Sequence, residues 1–281
     1  MKRVFYIVTA CLILVSCQKT IDDDTAGTGR LVVEGWIDSG GHPTVILTRS
    51  FSPMSTESTT LSDLVVHWAN VTISDGERTE TMIGRIDNSM TPPFVYTTAQ
   101  ITGVPGCTYT ITAEYEGERI VSSCTMPCPV DISRIDVAPV ADSDTLREVS
   151  LTFVPGIGND KCYQLAVYDP SLSGRMLPCF MGAYAASSSG GGGEVTLTVC
   201  RPSIDTDGGD YTPYFRTGRT IMVALTAIAP EVWCFWHEYD DFTAFGGNIF
   251  LAGTIPMHGN IDGGYGIWSA RGVDVRTITI E

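Results

Sequence analysis

The chain has 281 residues, 43% of them hydrophobic, and its 32 acidic against 17 basic side chains give a net charge of −15. Such a charge repels nucleic acid and anionic lipid headgroups, which excludes nucleic-acid binding, and its plainest consequence is solubility. The length suits one large or two ordinary domains with real hydrophobic cores.

Lys2 and Arg3 precede an apolar run from Val4 to Val15, with Ser16 and Cys17 after it. A basic start, a short apolar stretch and a small residue before a cut site make a secretory signal peptide. The run is shorter than the ~20 residues of a membrane-spanning helix. Its ending, Leu14-Val15-Ser16-Cys17, resembles the bacterial lipobox, which implies removal of residues 1–16 and lipidation of Cys17. More than one acyl chain on that cysteine would hold the protein stably on a membrane. Residues 17–29 follow as a polar, acidic tether in which Gln18-Lys19 precedes Asp22, Asp23 and Asp24. This leader is similar to the export signal of Bacteroidota lipoproteins carried to the outer face of the outer membrane. The expected location is therefore the outer membrane, lipid-anchored and facing the cell surface.

Beyond the tether, alternating or β-branched runs separated by Gly, Asp, Ser and Pro read as strands at 31–37, 44–48, 64–73, 108–115 and 119–124. Tyr109, Ile111, Ala113 and Tyr115 share one face of the fourth run, and threonines with Glu114 share the other. Glu116-Gly117-Glu118 turns the chain back, and hairpin pairing then brings Cys107 near Cys124. A disulfide between them is expected, with Cys128 as the rival partner. Met126-Pro127-Cys128-Pro129 breaks the pattern, because each proline removes a ladder donor. A domain boundary is placed there, so residues 30–129 read as an immunoglobulin-like or transthyretin-like β-sandwich.

Residues 130–281 read as a second β-rich domain, with strands at 132–140, 149–154, 162–168, 194–200, 220–228 and 273–280. The Ser/Gly run 187–193 and the segment 203–210 read as loops. One short helix is predicted, opened by Pro230 with Glu231 beside it in the first turn. Trp233, Phe235, Trp236, Tyr239 and Phe242 recur on it at intervals of a helical face. A plug at one end of the sandwich is the preferred reading; the alternative is a ligand surface formed by Trp233, Trp236 and Tyr239.

Removal of Cys11 and lipidation of Cys17 leave Cys107, Cys124, Cys128, Cys162, Cys179, Cys200 and Cys234, an odd number in an exported chain, so one thiol at least stays free or bonds another chain. Cys124 and Cys128 have tolerable zinc spacing but lack a second Cys/His pair nearby. The acidic stretch 205–210 fails as an EF-hand loop, because Arg216 falls where the twelfth ligand belongs. His237-Glu238 is followed by Asp241 where a zinc-protease motif needs histidine. Glu34, beside Gly35 and Trp36, reads as a structural strand residue. No nucleophile elbow or phosphate loop is present. The expectation is a protein that is not an enzyme, with no catalytic residue, metal or cofactor.

Leu31-Val-Val-Glu-Gly-Trp-Ile37 with Pro43-Thr-Val-Ile-Leu-Thr48, then Ala69-Asn-Val-Thr-Ile73 and Gly106-Cys-Thr-Tyr-Thr-Ile111, and finally Gly259-Asn-Ile261 with Gly263-Gly-Tyr-Gly-Ile-Trp268, resemble the Bacteroidota lipoprotein family known as domain of unknown function 4249. The resemblance implies two β-rich domains and a setting beside outer-membrane TonB-dependent transporters of the starch-utilisation type. It carries no catalytic residue, and the cysteines and the Ser/Gly run depart from it. The function it implies is a binding or accessory component of TonB-dependent nutrient uptake, with a glycan or a peptide as ligand. A structural or adhesive fimbria-like surface subunit is the alternative from a different class.

Overall fold

The computed structural model describes residues 29–50, 60–156, 161–186, 193–202, 211–245 and 257–281. Cys17, the signal and tether up to residue 28, and the segments 187–192 and 203–210 lie outside the described residues.

The described chain is mainly β. It starts with β1 (Leu31–Asp38) and β2 (Thr44–Arg49), makes a 3-10 turn at Leu61–Leu64, and continues through β3 (Asn70–Ser74), β4 (Thr79–Ile86) and β5 (Phe94–Thr97). The hairpin β6 (Thr108–Tyr115) and β7 (Glu118–Thr125) is followed by the strand-free segment 126–131, which holds the two prolines. Then come β8 (Ile132–Pro139), β9 (Leu146–Phe153), β10 (Lys161–Tyr168), β11 (Leu177–Ala186), β12 (Val195–Val199), β13 (Phe215–Arg216) and β14 (Thr220–Ile228). Helix α1 (Pro230–Phe245) and the long final strand β15 (Tyr265–Thr279) complete it.

An 11-stranded sheet runs in the order β11-β10-β14-β15-β1-β2-β5-β4-β3-β6-β7, and β9 organises a smaller sheet with β8, β12 and β13. The large sheet does not stop at residue 130. Its continuity comes from β15, whose first half pairs in parallel with β1 and whose second half pairs antiparallel with β14. Two cores result. Leu31, Val33, Leu47, Ile73, Tyr109, Ile111 and Trp268 lie in the first, while Val149, Phe153, Tyr163, Leu165, Val223 and Ile280 lie in the second. Strand β14 is buried over almost its whole length, as its near-continuous apolar sequence demands.

The first core is centred on Trp268, which has no exposed surface. Its indole Nε1 donates to the Tyr109 carbonyl at 3.0 Å, and its backbone N–H and C=O are both satisfied by the Asn260 side chain at 2.8 Å. Its strand partner is Gly35, where a Cβ would sit 2.9 Å from the indole ring. Gly266, two residues earlier, has φ +105, and a Cβ there would meet the Val33 carbonyl oxygen. The Glu-Gly-Trp and Gly-Tyr-Gly-Ile-Trp segments at the two ends of the chain are thus two halves of one parallel pairing.

Three expectations are corrected. The strand predicted over 64–73 forms only from Asn70, and Trp68 ahead of it is 89% exposed, because no partner among the described residues covers its side chain. The strand predicted at 273–280 begins at Tyr265. The disulfide between Cys107 and Cys124 is not formed; both are free thiols. The hairpin register explains this, since Cys124 stands opposite Tyr109, and Cys107 accepts a hydrogen bond from Met126. The two cysteines are therefore offset by two residue pairs along the ladder and do not face each other directly, as a disulfide requires.

Candidate functional site

Strict alternation in β1 sends Leu31, Val33, Gly35 and Ile37 into the first core and leaves Val32, Glu34, Trp36 and Asp38 on the opposite face. That opposite face is the floor of a cavity of about 650 Å³, a volume suited to a small organic ligand. Helix α1, the loop before β11 and the start of β11 form its walls.

Two ion pairs cross the floor. Arg175, from the loop before β11, donates to Glu34 Oε1 at 2.7 Å. Arg271 on β15 makes a bidentate contact with Asp38, Nε to Oδ1 at 2.5 Å and a terminal nitrogen to Oδ2 at 2.9 Å, and the parallel register aligns these two residues. Bidentate pairing fixes the guanidinium plane as well as its charge. Both guanidiniums lie against Trp36, at 5.3 Å for Arg271 and 6.0 Å for Arg175, within reach of cation–π attraction. Deeper in the floor, Ser269 is 3% exposed and its hydroxyl has no hydrogen-bond partner among the described residues, which leaves a buried polar group available to a bound molecule.

The helix starts as its sequence predicts, with Pro230 in the first turn. Phe235, Trp236, Tyr239 and Phe242 line the cavity, and Trp236 meets Phe235 and Tyr239 edge to face at 5.4 and 5.5 Å. Trp233 does not join them. It packs toward the first core and stacks on His237 at 4.9 Å, one turn along the same face. Of the three aromatic residues singled out in the sequence, Trp236 and Tyr239 are therefore brought together at the cavity, and Trp233 does not line it.

Asp240 fastens this helix to β11. It is buried, and its two carboxylate oxygens accept the backbone N–H groups of Met181 and Ala183, each at 3.1 Å. Met181 has φ +54, near an irregularity in the β10–β11 register, so these amides point away from the ladder and need an outside acceptor. Burial pushes the Asp240 carboxyl up from its ordinary range, against the pull of those two N–H groups.

His237 and Asp241 do not assemble a metal site, and among the described residues no group of three or more candidate ligands comes together. Glu238 instead accepts from the backbone and ring of His258, both at 2.6 Å. The acidic stretch 205–210 and the lipidation residue Cys17 lie outside the described residues. Asp38, Arg175 and Arg271 went unnoticed in the sequence. The signal that could have found the first and last is a charged residue on a strand whose other positions suit a buried sheet.

No helix among the described residues is long and apolar enough to cross a membrane. No curated protein matches the chain. A family profile does match, over residues 18–277, and its extent takes in the cavity, the first fourteen strands and β15 up to its last two residues. The chain accordingly belongs to the family described as a domain of unknown function (DUF4249).

Proposed function

We propose that this protein is a lipid-anchored outer-membrane protein, held by Cys17 and displayed at the cell surface of a member of the Bacteroidota, that captures a nutrient in the cavity beside β1 for a TonB-dependent transporter. The observation that carries this reading is the cavity floor, where Trp36 lies against two arginines and a buried serine hydroxyl has no hydrogen-bond partner among the described residues. Aromatic faces beside fixed polar groups suit a glycan ring or a peptide side chain. Capture is favoured over catalysis because Glu34 and Asp38 are each committed to an arginine, and Asp240 to two amides. The two cores support a description as two sandwich-like units joined by β15.

Strand exchange, which a fimbria-like subunit would use, needs a detachable terminal strand. Here the C-terminal strand β15 is hydrogen-bonded on both sides in the middle of the large sheet, which counts against that role. The test is affinity purification of the tagged full chain from detergent-solubilised outer membranes. Co-purification of a TonB-dependent transporter supports the reading. Recovery of a polymer of the chain itself would replace it with the fimbrial one, and protease shaving of intact cells that leaves the protein untouched would remove the surface location.

A further inference from the structure

Two cysteines on segments of different sheets, both free thiols in this structure, lie near each other beside the cavity. Cys179 lies in β11, at the edge of the large sheet, and is 2% exposed; Cys200 directly follows β12, in the small sheet. Their neighbours hold the two segments together. Phe180 N–H donates to the Arg201 carbonyl at 3.3 Å, the Tyr211 hydroxyl donates to the same oxygen at 2.7 Å, and the rings of Phe180 and Tyr211 meet edge to face at 5.1 Å. The backbone N–H of Cys200 is turned toward the Cys179 sulfur. Unlike Cys107 and Cys124, which are offset in one hairpin, these residues approach across an inter-sheet contact with no ladder register to keep them apart.

We propose that Cys179 and Cys200 form a covalent cross-link, a disulfide that ties the edge of the large sheet to the small sheet at the cavity wall. Each thiol gives up its proton, and the pair gives up two electrons to a disulfide oxidant. One thiolate attacks the oxidant's disulfide to give a mixed disulfide and releases one thiol, and the second thiolate then attacks the protein sulfur of that mixed disulfide and releases the other. Burial pushes both thiols upward, Cys179 well above its ordinary range, so the folded dithiol reacts slowly and the half-exposed Cys200 is the better first attacker. The closed loop contains the segment 187–192, and cross-linking it withdraws freedom mainly from the unfolded chain. In the folded chain the bond fixes Pro178, Phe180 and Pro202, all of which line the cavity.

The experiment uses the full chain, purified in detergent and equilibrated with a mixture of oxidised and reduced glutathione. It is then denatured, alkylated without reductant, and digested with trypsin. Neither Lys nor Arg occurs between Met176 and Cys200, so both cysteines leave on one peptide. The expected product is that peptide unalkylated and two hydrogens lighter than its dithiol, with Cys107 and Cys124 alkylated. Alkylation of both Cys179 and Cys200, or linkage of either to a different cysteine, overturns the proposal. A second readout is thermal: adding reductant to the oxidised protein lowers Tm by roughly 5–10 °C and leaves a Cys200→Ser variant unchanged. An equal Tm with and without reductant in the oxidised wild type also overturns it. Should that variant fail to fold, the wild-type peptide map decides alone.

Discussion

The two faces of β1 put the same local pattern to opposite uses. The inward face, Leu31, Val33, Gly35 and Ile37, is held by apolar contact and by the close approach of Trp268 to Gly35. The outward face, Val32, Glu34, Trp36 and Asp38, is held by ion pairs and by two guanidiniums over an indole. The two faces of β1 therefore meet two tryptophans: Trp268 of β15, whose burial is complete, against the inward face, and Trp36 of β1 itself, half-buried over a cavity, on the outward one. What separates them is the source of the energy. Burial on the inward face scales with area removed from water, whereas screened, partly exposed charge pairs on the outward face add little to stability.

The largest effect expected is that of Trp268→Ala. It removes the most voluminous side chain in the core and leaves the Tyr109 carbonyl without its indole donor, so a loss of about 3–5 kcal/mol is expected in urea unfolding. Gly266→Ala follows. The new Cβ would meet the Val33 carbonyl oxygen while the backbone is held at φ +105, and the parallel β1–β15 pairing would have to open. A loss of roughly 2–4 kcal/mol is expected. Because β15 serves both cores, fluorescence and far-UV dichroism should report one common transition at lower denaturant. Two separated transitions would instead show that the cores unfold independently, and would break the comparison at its root.

The inward face was legible in the sequence because alternation of period two needs no knowledge of the partner strand. So were β6, β14 and the helix, each of which carries its own periodicity and punctuation. Strand β4 was missed, since seven of its eight positions are not buried and it shows no apolar pattern. Strand β5 is only four residues long, and β11 is interrupted by Pro178, Gly182 and a bulge. The first half of β15 reads as a glycine-rich turn until β1 is laid beside it. The cavity was less legible still. Arg175 lies 141 residues from Glu34, and Arg271 lies 233 residues from Asp38, so neither pair leaves a local trace. The offset between Cys107 and Cys124 likewise depends on a register that hairpin length alone does not set.

Two buried carboxylates sharpen the contrast through pH. Asp169 lies away from the cavity and accepts from the Ser171 N–H, the Ser171 hydroxyl and Arg219, at 2.9, 2.7 and 2.9 Å. Burial raises its carboxyl, but those partners outweigh burial and hold it below the usual range. A lowered folded pKa means that its stabilisation is present above the ordinary carboxylate range of ~3.9 and is lost as pH falls through the folded value. Asp240 has the opposite sign. Its raised folded pKa means that its contribution is full below that range and is lost as pH rises through the folded value. Asp169→Asn should cost about 2 kcal/mol at neutral pH, less than a fully buried pair because Arg219 keeps part of its hydration, and the difference from wild type should shrink in acid. Asp240→Asn should cost about 1 kcal/mol at neutral pH, since the amide can accept only one of the two N–H groups, partly offset by removal of a buried charge. Its penalty should grow on acidification, because only the wild type gains from protonation. Urea titrations at neutral pH and at a series of pH values down through and below ~3.9 check both, and parallel pH dependences for the two variants would contradict the assignment.

The smallest change in stability is expected where the largest change in binding is. Trp36→Ala removes two cation–π contacts of about 0.5 kcal/mol each and a half-buried ring, while Glu34–Arg175 and Asp38–Arg271 keep their own hydrogen bonds. The net loss in urea unfolding should stay near 1 kcal/mol, so the variant remains folded and its surface display can be compared directly with wild type. Growth on the captured nutrient should then fail in cells whose protein is present in normal amount. A loss as large as that of Trp268→Ala would mean that the outward face of β1 serves the fold in the same way as the inward one, and the cavity would lose its claim to be a site.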